Sequence, residues 1–392
     1  MLRAMSLPSP SENHAAAFVY HDRLTRHLLS ETHVFRPYRL RYTYELLEAL
    51  GAFSLGNSAL VEPRQARVEE ALTFHSPAYV EAVAALSRGE RLEEAALFNF
   101  AAGGMGDNPV YAGMYDAALW TTGASLTAAE ELLSGRRSVA VNFSGGLHHA
   151  MPTHASGFCI FDDPVIAIKH MALAGARVAY VDIDCHHGDG VQIGFFDTDQ
   201  VLTISLHESG EFLFPGSGFV NEVGIDAGRG FAVNVPLFPY TDDETYLWAF
   251  REVVPPLVQA FRPDVLVTQL GIDTHVLDPI THIRLTVQGY TQVVRELAAL
   301  SPGRWLALGG GGYDIGAVMR AWTRAYGVML GHEWPESAPV EFAARYGVER
   351  FDDEEQGPLP PEVAARVRGY AEQSVAAIRR DVFPVHGLSA GA

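Results

Sequence analysis

Residues Val181-Asp182-Ile183-Asp184-Cys185-His186-His187-Gly188-Asp189-Gly190 gather three carboxylates and two imidazoles in one short stretch. They follow an apolar run, Arg177 to Val181, that reads as a buried strand. The ionisable groups therefore stand where a strand ends and a helix begins. In open α/β sheets ligands bind at that edge. Asp182 and Asp184 are two apart and point the same way on an extended strand. His186 lies just beyond, where a loop can turn it towards Asp184. Burying so many ionisable groups is costly unless they pair or bind metal. Two carboxylates and an imidazole make a divalent transition-metal site with open positions.

Polar residues follow several other apolar runs. Ser138–Phe143 leads into Ser144-Gly-Gly-Leu-His148-His149, and Val201–Leu206 into His207. Asp264–Leu270 leads into Gly271-Ile-Asp273-Thr-His275, and Arg304–Leu308 into Gly309-Gly-Gly-Gly312-Tyr313. In a parallel sheet these ends share one edge and can converge on one cleft. Asp273 is the natural third ligand beside Asp184 and His186. Zn²⁺ there would polarise a carbonyl and lower the pKa of its water to about 7. Fe²⁺ suits the same O/O/N donors. The pair His148-His149 can serve as general base and as acid or electrostatic partner. Asp182 and Asp189 can accept from the two imidazoles and orient them. The glycine run lacks the Lys and Ser/Thr that would make it a P-loop. It lets the backbone pass close to a ligand and presents Tyr313, a suitable donor to a developing oxyanion. Asp107 sits in Gly106-Asp-Asn-Pro109, a turn composition that exposes its carboxylate.

The elements that must position these groups can be read from periodicity. Arg39–Ala52, Pro77–Leu86 and Tyr115–Leu133 read as helices. The strands Ser138–Phe143, Arg177–Asp184, Val201–Leu206, Phe231–Pro236, Asp264–Leu270 and Arg304–Leu308 follow. Helices Pro164–Ala174, Tyr246–Phe261 and Val287–Leu300 lie between several of them. Alternation of this kind predicts a three-layer αβα protein with a mainly parallel sheet. Residues 1–13 are Ser/Pro-rich and read as a loose segment; residues 14–392 read as one catalytic domain. The acidic, Pro-rich stretch Phe351–Pro361 reads as a surface linker to a C-terminal helix over residues 362–380.

Composition narrows the function classes. The chain has 392 residues, 48% of them hydrophobic, enough for a sizeable core. Its net charge of −19 disfavours nucleic acid and favours cationic peptides or amines. The basic residues are 27 arginines and one lysine, Lys169, so the chain offers almost no lysine of its own for acylation. Its two cysteines, Cys159 and Cys185, indicate no disulfide framework and suit a reducing, cytoplasmic setting. The sequence predicts neither a signal peptide nor a membrane span.

With these residues in view, the chain resembles the zinc-dependent histone deacetylase family, in particular its bacterial acetoin-utilisation branch. The matching motifs are Gly146-Leu-His-His149, Ala155-Ser-Gly-Phe-Cys159, Asp182-x-Asp-x-His-His-Gly-Asp-Gly190, Leu213-Phe-Pro-Gly216, Gln269-Leu-Gly-x-Asp273 and Gly309-Gly-Gly-Gly-Tyr313. Asp278-Pro-Ile-Thr-His282 resembles the bacterial branch, and Phe74-His75-Ser-Pro-Ala-Tyr79 also has the family pattern. The resemblance implies an arginase–deacetylase fold with Asp184, His186 and Asp273 binding zinc. His148 would pair with Asp182, His149 with Asp189, and Tyr313 would stabilise the oxyanion. Gly157, Phe158, Leu213, Phe214 and Ile280 would line an acyl-lysine tunnel, with Asp107 at its rim accepting from the substrate backbone. A structural K⁺ would lie at Asp182, Asp184, His186, Ser205 and Leu206, and a second cation near Phe195, Thr198 and Val201. Leu213 departs from the family, which often has an aromatic there. His275 and His282 follow the third ligand and are expected near the rim.

The implied reaction is hydrolysis of the N-acetyl amide of acetyl-lysine in proteins by a zinc-activated water. The histidine pair would act as base, and a histidine would then protonate the leaving amine. The alternatives are a small-molecule amidohydrolase, acting on an acetylpolyamine or similar amine, and a non-catalytic metal-binding regulator of acetoin or acetate metabolism. The expected partner is an acetylated protein or small acetylated amine, not nucleic acid and not a membrane.

Overall fold

A computed structural model describes residues 15–103 and 106–390. The expectation for residues 1–13 lies outside the described residues. Among the described residues eight strands form one sheet: β1 (Ala16–Val19), β2 (Ser58–Val61), β3 (Val139–Asn142), β4 (Val178–Asp182), β5 (Val201–Glu208), β6 (Ala232–Leu237), β7 (Val265–Gln269) and β8 (Trp305–Leu308). Their order is β2-β1-β3-β8-β7-β4-β5-β6, and every neighbouring pair is parallel. All strands except β2 are buried along their length. Strands covered on both faces read as continuous apolar runs, which is why β4 (Val-Ala-Tyr-Val-Asp) and β7 (Val-Leu-Val-Thr-Gln) stand out in the sequence.

Two sets of helices cover the sheet. Tyr38–Ala49, Ile315–Leu330, Val287–Leu300, Asp243–Phe261 and Pro361–Asp381 pack as successive neighbours. Pro77–Ser87, Met114–Leu133, Asp163–Leu173 and Asp189–Phe195 form the second set. Several helices start at side-chain caps beside the strand ends. Asp314 accepts from Ala317 N and so starts its helix immediately after Tyr313. Asp162 caps Asp163–Leu173, with Pro164 in its first turn. The helix Pro361–Asp381 lies along β6, where Ser374 Oγ donates to Pro236 O. No helix among the described residues is long and apolar enough to cross a membrane.

Two expectations change. β1 and β2 precede the strands legible in the sequence and extend the sheet beyond β3. The stretch 351–361 is also no free linker. Phe351 is fully buried, and Asp353 accepts from His275, Arg320 and the Val287 amide.

Candidate active site

The C-terminal ends of the adjacent strands β3, β8, β7 and β4 deliver His148 and His149, Tyr313, Asp273, and Asp184 with His186. Donor atoms of Asp184, His186 and Asp273 all lie within 4.8 Å of one another. His186 Nδ1 is 2.8 Å from Asp273 Oδ2 and 3.2 Å from Asp184 Oδ1. The protein occupies the other oxygen of each carboxylate. Asp184 Oδ2 accepts from Gln269 Nε2 and Gly311 N, both at 2.7 Å. Asp273 Oδ1 accepts from Cys185 N at 2.7 Å. One oxygen of each aspartate and one ring nitrogen are thereby aimed at a common point. Burial and the neighbouring Asp184 push the Asp273 carboxyl up to about 6, against the opposing pull of His186. This donor set fits a divalent ion with positions left open.

The two histidines are held as the motifs imply. His148 Nδ1 meets Asp182 Oδ2 at 2.7 Å, and His149 Nδ1 meets Asp189 Oδ1 at 2.7 Å. The carboxylates fix the Nδ1–H tautomer and leave each Nε2 for the site. Burial lowers the pKa of both rings, but Asp182 and Asp184 reverse it at His148 and hold it at about 9. At His149 burial and the His148 charge win over Asp189, so its pKa falls below the usual imidazole value. The pair is therefore split into a cation and a neutral base. Asp163 braces the loop that carries it, accepting from Gly146 N, Leu147 N and Ser125 Oγ. A Cβ at Gly145 would lie 2.2 Å from Asp163 Oδ2, so that position has no room for a side chain.

Tyr313 is set by its backbone. Its N–H donates to Asp278 Oδ2 at 2.9 Å. Arg39 donates to Gly310 O and Gly312 O, both at 2.6 Å, and clamps the glycine run. Burial, then Asp273 and Asp184, raise the Tyr313 hydroxyl well above its ordinary pKa, so it remains a donor. Sequence reasoning missed Arg39. Its signal was an arginine on the core stripe of a helix, among the buried residues Leu40, Thr43, Leu46 and Leu47.

A cavity of about 610 Å³ opens over these groups. Its lining includes His149, His186 and Tyr313 with Gly157, Phe158, Leu213, Phe214, Ile280 and Asp107. The structure thus brings Asp107, Gly157, Phe158, Leu213, Phe214 and Ile280 to one cavity. It adds Ser30, Thr32, His33 and Val34, a loop without a recognisable motif. His33 stands edge-on to Phe158, ring centres 4.6 Å apart. Ser205, expected at the K⁺ site, pairs in register with Asp182 across β4 and β5, and Leu206 follows it. Phe195 and Val201, expected near a second cation, lie at the end of a short helix and the start of β5, with Thr198 between.

His275, His282 and His207 do not line the cavity. His275 is buried and bonds Asp353, because the chain after Asp273 turns back towards the C-terminal segment. His282 is half-exposed but tied to the buried Glu208. His207 is fully buried between Ser205 and Gly218.

Comparison with known proteins agrees with this geometry. A family model described as the histone deacetylase domain matches residues 33–329. The acetoin utilization protein AcuC of Bacillus subtilis is 36% identical over 385 residues, covering 93% of this chain and 98% of that protein. AcuC of Staphylococcus xylosus is 37% identical, over 83% of this chain and 85% of that protein. A crystal structure of an HDAC homolog complexed with SAHA has a TM-score of 0.82 and 29% identity, covering 92% of this chain and 99% of that one. An HDAC homolog from Aquifex aeolicus gives 0.81 and 29%, over 92% of this chain and 100% of that one. Sheet, strand-end site and relatives agree: the chain is a hydrolase of the histone deacetylase family, in its acetoin-utilisation branch, with the arginase–deacetylase fold.

Proposed function

We propose that the protein hydrolyses the N-acetyl amide of acetyl-lysine in proteins, with Zn²⁺ held by Asp184, His186 and Asp273. The observation that carries this reading is the cluster of those three donors, one of which, His186, lines the same aromatic-walled cavity as His149 and Tyr313. A divalent ion held by these residues would polarise a carbonyl and would lower the pKa of a water to about 7. Zn²⁺ and Fe²⁺ both suit these donors, and metal analysis of the native protein decides between them. Phe158 and Phe214 wall an apolar path that accommodates the methylene stem of an acyl-lysine. His149, neutral and backed by Asp189, takes the proton from the attacking water through Nε2. His148 stays cationic and favours negative charge developing nearby. Tyr313 donates its hydroxyl hydrogen to the acetyl oxygen as that oxygen gains charge. The proton on His149 then passes to the departing lysine amine. A structural K⁺ at Asp182, Asp184, His186, Ser205 and Leu206 belongs to the same proposal. The buried, unpaired thiols Cys159 and Cys185 support a reducing compartment such as the cytoplasm.

The test compares acetyl-lysine peptides with acetylated polyamines on one metal-loaded preparation. Acetate release from the peptide should be stopped by a chelator and restored by Zn²⁺. Faster turnover of the polyamine would replace the protein substrate with a small amine. Turnover of neither substrate by metal-loaded protein would overturn the reading.

A further inference from the structure

Asp353 lies beyond the residues that match the family model, on the stretch that leads to the C-terminal helix. Its carboxylate is only 12% exposed and takes three donors. Oδ2 accepts from His275 Nε2 at 2.9 Å and from Val287 N at 2.7 Å. Oδ1 accepts from Arg320 Nη1 at 2.6 Å. The tautomer of His275 follows from its other side. Leu277 N donates to its Nδ1 at 3.2 Å, so the ring proton sits on Nε2 and points at Asp353. The backbone of Asp353 is held as firmly. Gln288 donates its side-chain amide to Asp353 O at 2.8 Å and accepts from Asp353 N at 3.0 Å. A surface linker has no use for this many directed bonds.

The three donors come from informative places. His275 is two residues after Asp273, on the loop that leaves β7. Arg320 is on the helix that begins at Ile315, immediately after Tyr313, and its guanidinium also bonds Phe351 O and Gly316 O. Val287 N is the first amide of the helix Val287–Leu300, which packs against the Arg320 helix. One carboxylate thus ties the loop carrying Asp273 to the helix that follows Tyr313.

We propose that Asp353 is a positioning residue: it fixes the spacing between Asp273 and Tyr313 through His275 and Arg320. The proposal rests on the roles given above to those two residues. An asparagine at this position has one acceptor oxygen and one NH₂ group. Whichever way it turns, its NH₂ faces a donor, so one of the two links breaks while size is kept.

The test uses Asp353→Asn in the full chain, loaded with Zn²⁺ and assayed on an acetyl-lysine peptide, beside Tyr313→Phe and the double variant. Asp353→Asn should lose about 10- to 100-fold in kcat with KM little changed, the scale for groups that support a site's ligands. It should also release its metal faster to a competing chelator. In the Tyr313→Phe background the same substitution should cost much less, because the misplaced hydroxyl is already gone. His275→Leu, which removes the ring donor to Asp353 and leaves Arg320 in place, should show the same pattern in weaker form. It serves as the test if Asp353→Asn does not fold. Wild-type kcat and metal retention in folded, metal-loaded Asp353→Asn would overturn the proposal, even if its melting temperature fell. Fully additive losses in the double variant would overturn it too. Undiminished kcat in Tyr313→Phe itself would instead count against the proposed function.

Discussion

The chemistry rests on a few side chains whose environments differ although their types repeat. Of two adjacent histidines, the surrounding carboxylates push His148 up to about 9, while burial and the His148 charge push His149 below the ordinary imidazole value. This sets a pH profile. His149 must be neutral, so kcat/KM should fall as pH drops through its depressed pKa, below the ordinary imidazole value of about 6.5. His148 must be charged, so kcat/KM should fall again as pH rises through about 9. A profile with its acid limb above the ordinary imidazole value would refute the assignment of His149 as base. Tyr313→Phe should fold normally and lose roughly 10²–10³ in kcat with little change in KM, the usual size for one oxyanion donor. Near-full kcat in that variant would reduce Tyr313 to packing. Asp107, in the cavity lining, is expected to accept from a substrate backbone. Asp107→Ala should cost more than ~10-fold on an acetyl-lysine peptide, which offers backbone amides, and much less on an acetylated amine, which offers none. Equal losses on both would assign Asp107 to shaping its loop.

At the scale of elements, what the sequence made legible was the strand ends. D-x-D-x-H-H-G-D-G and the glycine run are visible because catalysis confines particular residue types to a few consecutive positions. The helices Val287–Leu300 and Met114–Leu133 were legible from apolar spacing alone. β1 and β2 were not, since four residues such as Ala-Ala-Phe-Val carry too little periodicity to separate a strand from a buried turn. Bonds between distant segments were equally hidden. Arg39 on the glycine run, Asp163 under the histidine loop and Asp353 on His275 join residues far apart in the chain. Local patterns carry no record of such pairings. The glycine run itself makes a sharp prediction. A Cβ on Gly311 would lie 2.1 Å from Asp273 Oδ2 and 3.0 Å from Asp184 Oδ2, so the ligands themselves would have to move. Gly311→Ala should therefore leave the fold intact by circular dichroism yet lose most bound metal. Retention of full metal occupancy would show that the loop can yield without disturbing the ligands.

At the scale of the whole molecule, metal binding and stability should be coupled. Burying two carboxylates beside one another costs folding free energy, which a bound divalent cation would offset. A ligand that binds only the folded state adds about 4 kcal/mol at a thousandfold excess over its Kd. Calorimetry should accordingly show the chelator-treated protein melting several degrees below the Zn²⁺-saturated one. Equal melting temperatures would mean that the three residues hold no metal of consequence. Asp184→Asn and Asp273→Asn should narrow the difference by removing the charges that the ion offsets.

The strand order carries one more consequence, for how the chain is assembled. β3 and β4 are successive in sequence yet do not touch; β8 and β7, the last strands to be synthesised, lie between them. Until that pair arrives, the growing sheet consists of two fragments, β2-β1-β3 and β4-β5-β6, each ending in an open hydrogen-bonding edge of buried, apolar residues. Such edges pair with other chains as readily as with their own missing partners. Refolding yield should thus fall steeply with protein concentration. A fragment stopping before β7 should aggregate, and β7 and β8 supplied in trans on a separate polypeptide should restore soluble material if insertion of that pair is the closing step.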